Sequence, residues 1–190
     1  MLKLAIFASG AGSNAAKIIE HFAGNTAVMI HLIVSNKKDA GVLGIANANH
    51  LNTLIINRQQ FYETTECVET LKAAGINFIV LAGFLWKMPT SLIEAFPNRI
   101  INIHPALLPK YGGKGMYGMH VHEAVIAAGE TESGISIHYV NANYDEGAII
   151  FQAKCTVEPS DTPSSLATKI HALEHAHFPL VIENLLRDLA

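Results

Sequence analysis

The run Leu2-Lys3-Leu4-Ala5-Ile6-Phe7-Ala8, continued by Ser9-Gly10-Ala11-Gly12-Ser13-Asn14-Ala15, decides how the chain is built. A short apolar segment meets a turn of small residues and then an amphipathic stretch, Asn14–Ala23. Such a change of hydrophobic period marks a buried strand passing into a helix. The pattern repeats outward. Val28–Val34, Thr53–Ile56 and Phe78–Ala82 read as further strands, with Ala40–Asn49 and Phe61–Ala74 as helices between them and Gly75 as a helix stop. Strand alternating with helix implies right-handed βαβ units and a parallel sheet.

Beyond this half, Arg99–Ile103 reads as another strand, followed by a Pro- and Gly-rich loop from Pro105 to Gly118 and a short helix, Val121–Ala128. Gly134–Val140 and Ala148–Thr156 are strands joined by a polar turn, which favours an antiparallel pair. Pro163–Leu189 closes the chain as a long helix, with Asp161 or Thr162 as N-cap and Pro163 in its first turn. Pro179 is expected to kink or break it. The expectation is one Rossmann-like, three-layer α/β domain over residues 1–190, its sheet mostly parallel with an antiparallel strand near the C-terminus.

Composition agrees. A length of 190 residues suits a single domain. Half the residues are hydrophobic and 15% charged, which excludes a disordered polyampholyte. The formal charge of −3 argues against a broad nucleic-acid-binding face, which needs a local Lys/Arg excess. Cys67 and Cys155 lie far apart and form no CxxC, so a reducing cytosol fits better than a disulfide scaffold or a cysteine zinc site. The apolar N-terminal run is too short for a signal peptide, and Phe78–Trp86 falls well below a bilayer span. A soluble cytoplasmic protein, with no membrane or nucleic-acid partner, is expected.

Three stretches carry chemistry. Gly10 to Ala15 satisfies the G-x-G-x-x-G/A pattern after a strand, where small residues let backbone approach an anion at a helix N-terminus. The second strand runs into Ser35-Asn36-Lys37-Lys38 rather than an acidic residue, so a phosphate site fits better than a dinucleotide site. Asn102-Ile103-His104-Pro105 ends a strand, and the i, i+2 spacing projects Asn102 and His104 together while Ile101 and Ile103 enter the packed side. An amide donor beside an imidazole suits a developing oxyanion with proton movement. Asn141-Ala142-Asn143-Tyr144-Asp145-Glu146-Gly147 can bring a carboxylate to that histidine, although such turns are commonly only solvated.

Two further motifs are weaker. His171-Ala172-Leu173-Glu174-His175 matches H-x-x-E-H, but a zinc site needs a third protein ligand that the short tail does not offer, so no metal is expected. Gly112-Gly113-Lys114-Gly115 lacks Walker spacing and reads as a lid or surface loop.

Taken in order, the Gly10–Asn14 turn, Leu81-Ala82-Gly83-Phe84, Asn102-Ile103-His104-Pro105-Ala106-Leu107-Leu108-Pro109-Lys110-Tyr111, the Asp145 turn, and Glu174-His175-Ala176 with Pro179-Leu180-Val181 resemble the phosphoribosylglycinamide formyltransferase family of folate-dependent enzymes. The resemblance covers essentially the whole chain. It implies formyl transfer from 10-formyltetrahydrofolate, as co-substrate, to the amine of glycinamide ribonucleotide in purine biosynthesis, by a monomer or homodimer that needs no metal. It implies that residues 1–100 form a phosphate and ribonucleotide half and residues 101–190 a catalytic and folate half. Asn102, His104 and Asp145 are the implied catalytic trio, with Asp145 keeping His104 charged. Gly12, Ser13, Asn14 and the segment His171, Ala172, Leu173, Glu174 are implied ribonucleotide contacts. Leu85, Trp86, Lys87 and Met88, with Asn102 and Asn141, Ala142, Asn143, Tyr144 and Asp145, are implied to hold the folate.

The chain also departs from that pattern. Relatives commonly carry a basic residue near position 64, where this chain has Phe61-Tyr62-Glu63-Thr64, and an Arg where Trp86 stands. The Gly112–Met119 loop is longer than in many. Formyltetrahydrofolate hydrolases share the Asn/His/Asp centre but usually bear an N-terminal regulatory domain, for which a strand starting at Leu2 leaves no room. Methionyl-tRNA formyltransferases normally add a C-terminal RNA-binding domain. A nucleotide-binding protein without turnover would keep the phosphate loop and need none of the trio.

Overall fold

The computed structural model describes residues 1–187. Seven strands form one sheet: β1 (Leu2–Phe7), β2 (Val28–Ser35), β3 (Asn52–Ile55), β4 (Phe78–Leu81), β5 (Ile100–His104), β6 (Glu132–Tyr139) and β7 (Ile149–Thr156). Among the described residues the helices are α1 (Ser13–His21), α2 (Gly41–Ala48), α3 (Arg58–Tyr62), α4 (Glu66–Ala73), α5 (Thr90–Ala95), α6 (Met119–Ala127) and α7 (Pro163–Arg187). Strand order is β3-β2-β1-β4-β5-β6-β7. The first five strands run parallel; β6 is antiparallel to both β5 and β7.

Both faces of the sheet are covered, which is why β1 and β4 read as continuous apolar runs. Alternation sends Leu4 and Ile6 into a core with α1, α2, α6 and α7, and Ala5 and Phe7 into a second core with α3, α4 and α5. Three layers result. The chain winds from β1 toward β3 on one side and from β4 toward β7 on the other, so β1 and β4 flank the topological switch point. Ligand crevices in open α/β sheets form there, beyond the strands' carboxyl ends.

The structure revises three sequence expectations. Phe61–Ala74 is not one helix. An Asn57/Gln60 capping box starts α3 three residues earlier, and Thr64 and Thr65 interrupt the run: Thr64 Oγ1 accepts from the Glu66 N–H (3.3 Å) and Thr65 Oγ1 donates to Glu69 (2.7 Å). Side-chain hydroxyls that compete for backbone groups restart the helix as α4. The short helix α5 follows Pro89 and was too brief to register as a period. Pro179 does not break α7: the helix continues to Arg187 with Pro179 buried, its interior packing outweighing one missing N–H donor. Asp188 and Leu189 lie outside the described residues. At the other end of α7, Thr162 Oγ1 accepts from the Ser165 N–H (3.2 Å), one of the two expected caps.

Among the described residues, no helix is long and apolar enough to cross a membrane. The cysteines are free.

Candidate active site

A cleft of about 740 Å³ opens over the carboxyl ends of β1, β4 and β5. That volume suits a small-molecule site. At one end the Ser9 N–H donates to the Gly83 carbonyl (3.0 Å), tying the β1 turn to the β4 turn across the switch point. Gly12 is the N-cap of α1 at φ +83, and a Cβ there would meet Val42 Cβ at 2.7 Å and its Cα at 2.9 Å. Only glycine serves this turn, since the left-handed conformation and the close approach of α2 both exclude a side chain. No side chain caps α1, so its first N–H groups and its dipole face the cleft beside Ser13 and Asn14.

Across from that terminus, α7 contributes His171 and Glu174, one helical turn apart on the same face. The Asn14 side-chain amide donates to Glu174 Oε2 at 2.8 Å, while the buried Asn14 Oδ1 has no hydrogen-bond partner among the described residues. Burial pushes the Glu174 carboxyl up, against the lowering influence of Asn14 and His171. Ala172 and Leu173 do not reach the cleft, contrary to the contiguous segment implied by resemblance. Helical rotation exposes Ala172 and turns Leu173 onto the core.

The other end of the cleft is built by β5, β6 and the β6–β7 turn. Asn102 and His138 are direct partners in the antiparallel β5–β6 register. The His138 Nδ1 lies 2.9 Å from the Tyr139 carbonyl, which fixes a proton there in the neutral ring. Nε2 then accepts from the Asn102 amide at 3.1 Å and sets its orientation. His104, 3% exposed, places Nε2 2.7 Å from the Tyr111 carbonyl and Nδ1 3.6 Å from Asp145 Oδ2. Nε2 must carry the proton in that contact, so Nδ1 faces Asp145 and the cleft with its lone pair. Asp145 Oδ1 stands 3.6 Å from His138 Nε2, and Oδ2 accepts the Gly113 N–H at 2.9 Å. Asp145 holds this position at φ +55, an uncommon conformation for a residue other than glycine.

Burial drives the His104 pKa below the ordinary imidazole value of 6.5, against the raising influence of Asp145 and the Tyr111 carbonyl. The expectation that Asp145 keeps His104 charged is therefore reversed in the resting site: desolvation wins, and the ring is neutral at pH 7. Burial also works to raise Asp145, but the neighbouring His138 and His104 and the Gly113 N–H outweigh it and hold the carboxyl below its usual range.

Leu85, Trp86, Lys87, Met88, Asn141, Asn143 and Tyr144 line the third side of the cleft; Ala142 does not, its small side chain lying at the exposed tip of the turn. Trp86 packs against Phe61 and Phe84, with ring centroids 5.6 and 6.2 Å away. The Arg58 guanidinium sits 5.4 Å from the Trp86 ring centre, and Lys87 Nζ 5.5 Å from that of Tyr144. A cation thus stands at this mouth although none occupies positions 61–64. The Gly112–Met119 segment is part of the wall, with Gly113 to Gly118 lining the cleft. His138, absent from the sequence reading, becomes recognisable only once the β5–β6 register places it opposite Asn102. His171 and His175 stack at 6.2 Å, and among the described residues no three His, Cys, Asp or Glu side chains converge as metal ligands.

Three partly or fully desolvated histidines tie stability to pH. His104, His122 and His175 are each lowered below 6.5 by desolvation first. The unfolded chain takes up protons near that value that the folded chain resists. Their contribution is therefore complete above 6.5 and is lost as pH falls through the folded-state values beneath it. Glu174, raised from 4.5, acts oppositely over a lower window. The urea midpoint is expected to drop between about pH 7.5 and about pH 5.5, near the histidine range. A midpoint that stays flat or rises on acidification contradicts the desolvation of these rings.

Comparison with known proteins agrees with this geometry. Residues 2–182 match the family model described as formyl transferase. Phosphoribosylglycinamide formyltransferase, chloroplastic, of Arabidopsis thaliana is 42% identical over 186 residues, 95% of this chain and 64% of that protein. The chain thus spans under two thirds of that relative. The phosphoribosylglycinamide formyltransferase of Haemophilus influenzae is 32% identical, covering 96% of this chain and 86% of that one. The crystal structure of phosphoribosylglycinamide formyltransferase from Bacillus halodurans superposes with a TM-score of 0.88 at 34% identity, over 99% of this chain and 97% of that one. The α/β domain described above, with its glycine turn and its Asn/His/Asp cluster in one cleft, belongs to the formyl transferase family.

Proposed function

We propose that this chain transfers the formyl group of 10-formyltetrahydrofolate to the amine of phosphoribosylglycinamide. The observation that carries the reading is the convergence of Asn102, His104 and Asp145 at one point of a cleft whose far end is an uncapped helix N-terminus facing Glu174. An anion site, a hydroxyl acceptor and a proton carrier in a line suit a phosphorylated sugar bearing an amine. The free α1 N–H groups with Gly12, Ser13 and Asn14 receive the phosphate. Glu174 and His171 receive ribose hydroxyls. Leu85 to Met88 and the Asn141–Asp145 turn hold the folate. The free thiols fit a reducing cytoplasmic compartment.

In this reading the amine attacks the formyl carbon and a nitrogen–carbon bond forms. Asn102, oriented by His138, donates its remaining amide hydrogen to the oxyanion. Neutral His104 accepts the proton of the attacking nitrogen at Nδ1, and Asp145 stabilises the imidazolium that results. That proton then goes to the folate nitrogen as its bond to the formyl carbon breaks, leaving formylated ribonucleotide and tetrahydrofolate.

A formyl-transfer assay with both substrates, and with each omitted in turn, tests the proposal. Product is expected only when both are present. Formate released from the folate at full rate without ribonucleotide identifies a hydrolase instead. Ligand-dependent heat stabilisation without any product identifies a binding protein.

A further inference from the structure

The Tyr111 carbonyl that fixes the His104 ring belongs to a residue held from the far side. Tyr111 stands at φ +56, a left-handed backbone that a bulky side chain adopts only when its surroundings enforce it. Its hydroxyl donates to Glu130 Oε1 at 2.8 Å, and Lys110 Nζ donates to the same oxygen at 2.8 Å. Glu130 lies just after α6, and neither it nor Tyr111 nor Lys110 lines the catalytic cleft. Behind the loop these three residues border a separate cavity of about 170 Å³, together with Leu107, Glu132 and Ser133. The Tyr111 ring packs against the edge of the core on one side and borders this open space on the other, where its hydroxyl hydrogen bond to Glu130 is the tether.

We propose that Tyr111 is a positioning residue for His104 and that Glu130 is its anchor. With the ring tethered, the Tyr111 carbonyl stays 2.7 Å from His104 Nε2 and holds the proton on that nitrogen, leaving Nδ1 as the acceptor that faces Asp145 and the cleft. With the tether cut, the left-handed turn relaxes, the carbonyl withdraws, and the ring populates the tautomer that is protonated at Nδ1 and unable to accept there. The link to catalysis rests on the formyl-transfer reading above; the link to the tautomer does not.

The test therefore reads the tautomer without any substrate. Nitrogen-15 NMR of the histidine rings in Tyr111→Phe and Glu130→Gln, assigned through His104→Gln, reports which His104 nitrogen carries the proton. The native chain is expected to show the Nε2-protonated form alone. Tyr111→Phe should add a clear Nδ1-protonated population and lower kcat about five-fold, the equivalent of one hydrogen bond, with KM little changed. Glu130→Gln keeps an acceptor for the hydroxyl and is expected to fall between the two, with Glu130→Asp restoring part of kcat. Unchanged ring spectra in a folded Tyr111→Phe overturn the proposal, whatever the enzyme's activity. Altered spectra with no formyl transfer by the native chain leave the brace standing and overturn the functional reading instead.

Discussion

Replacing His104 by Ala should lower turnover by about 10²- to 10⁴-fold, the range for losing a positioned proton carrier, while ribonucleotide affinity stays within a few-fold. The separation follows from placement. His104 and Asp145 sit at the β5 end of the cleft, whereas the proposed phosphate and ribose contacts belong to α1 and α7. Asp145→Ala should cost comparably for a different reason. It removes the group that stabilises the imidazolium and also strands the Gly113 N–H, which donates to Asp145 Oδ2. Asp145 raises the His104 pKa against burial, so an Asp145→Asn variant should shift the acid limb of its residual activity to still lower pH. Steady-state kinetics with calorimetric titration of the ribonucleotide decides the matter. Near-native turnover in both Ala variants removes the assignment, and loss of ribonucleotide binding in His104→Ala moves the amine site elsewhere.

How much of this was legible in the sequence depends on whether a signal was local. The strand–turn–helix at Leu2–Ala15 carries its own evidence, because a buried strand, a glycine turn and an amphipathic helix each leave a pattern within a dozen residues. Asn102 and His104 were legible for the same reason: alternation along one strand places both on one side. His138 was not. Its role comes from facing Asn102 across the β5–β6 pair, and register between residues 36 apart in sequence has no local signature. The protonation of His104 is hidden from the sequence for the same reason, since a motif can place a carboxylate neighbour while the desolvation that outweighs it depends on burial. Within α7, spacing does separate His171 and Glu174 from Ala172 and Leu173, and helical geometry selects them more sharply than a contiguous motif does. The break at Thr64–Thr65 shows the opposite limit, where side-chain hydroxyls bonding locally override a helical period that continues past them.

The other large effect falls on a residue with no side chain at all. Gly147 follows the Asp145 turn where the chain re-enters β7, and a Cβ there would lie 1.6 Å from the Tyr139 carbonyl oxygen and 2.7 Å from its carbon. Both atoms are backbone, so no rotamer change relieves the overlap. Either the end of β6 or the 141–147 turn has to move. The Tyr139 carbonyl also receives His138 Nδ1, and the Tyr139 N–H donates to the Ala148 carbonyl at 2.9 Å, so a shift breaks strand pairing and histidine orientation together. Gly147→Ala should cost about 3 kcal/mol or more of stability, at the upper end of overpacking effects. It should also lower turnover per folded molecule, because Asp145 and His138 are displaced with the turn. Gly44→Ala is the control. Gly44 is an exposed interior position of α2 with nothing within 4 Å of its added Cβ, and the change should stabilise by about 0.5–1 kcal/mol through helix propensity. Urea denaturation of both variants, with turnover normalised to the folded fraction, measures the contrast. A Gly147→Ala protein with the native midpoint and native turnover would mean that the β6–β7 turn does not approach Tyr139 as described, and the placement of Asp145 would fall with it.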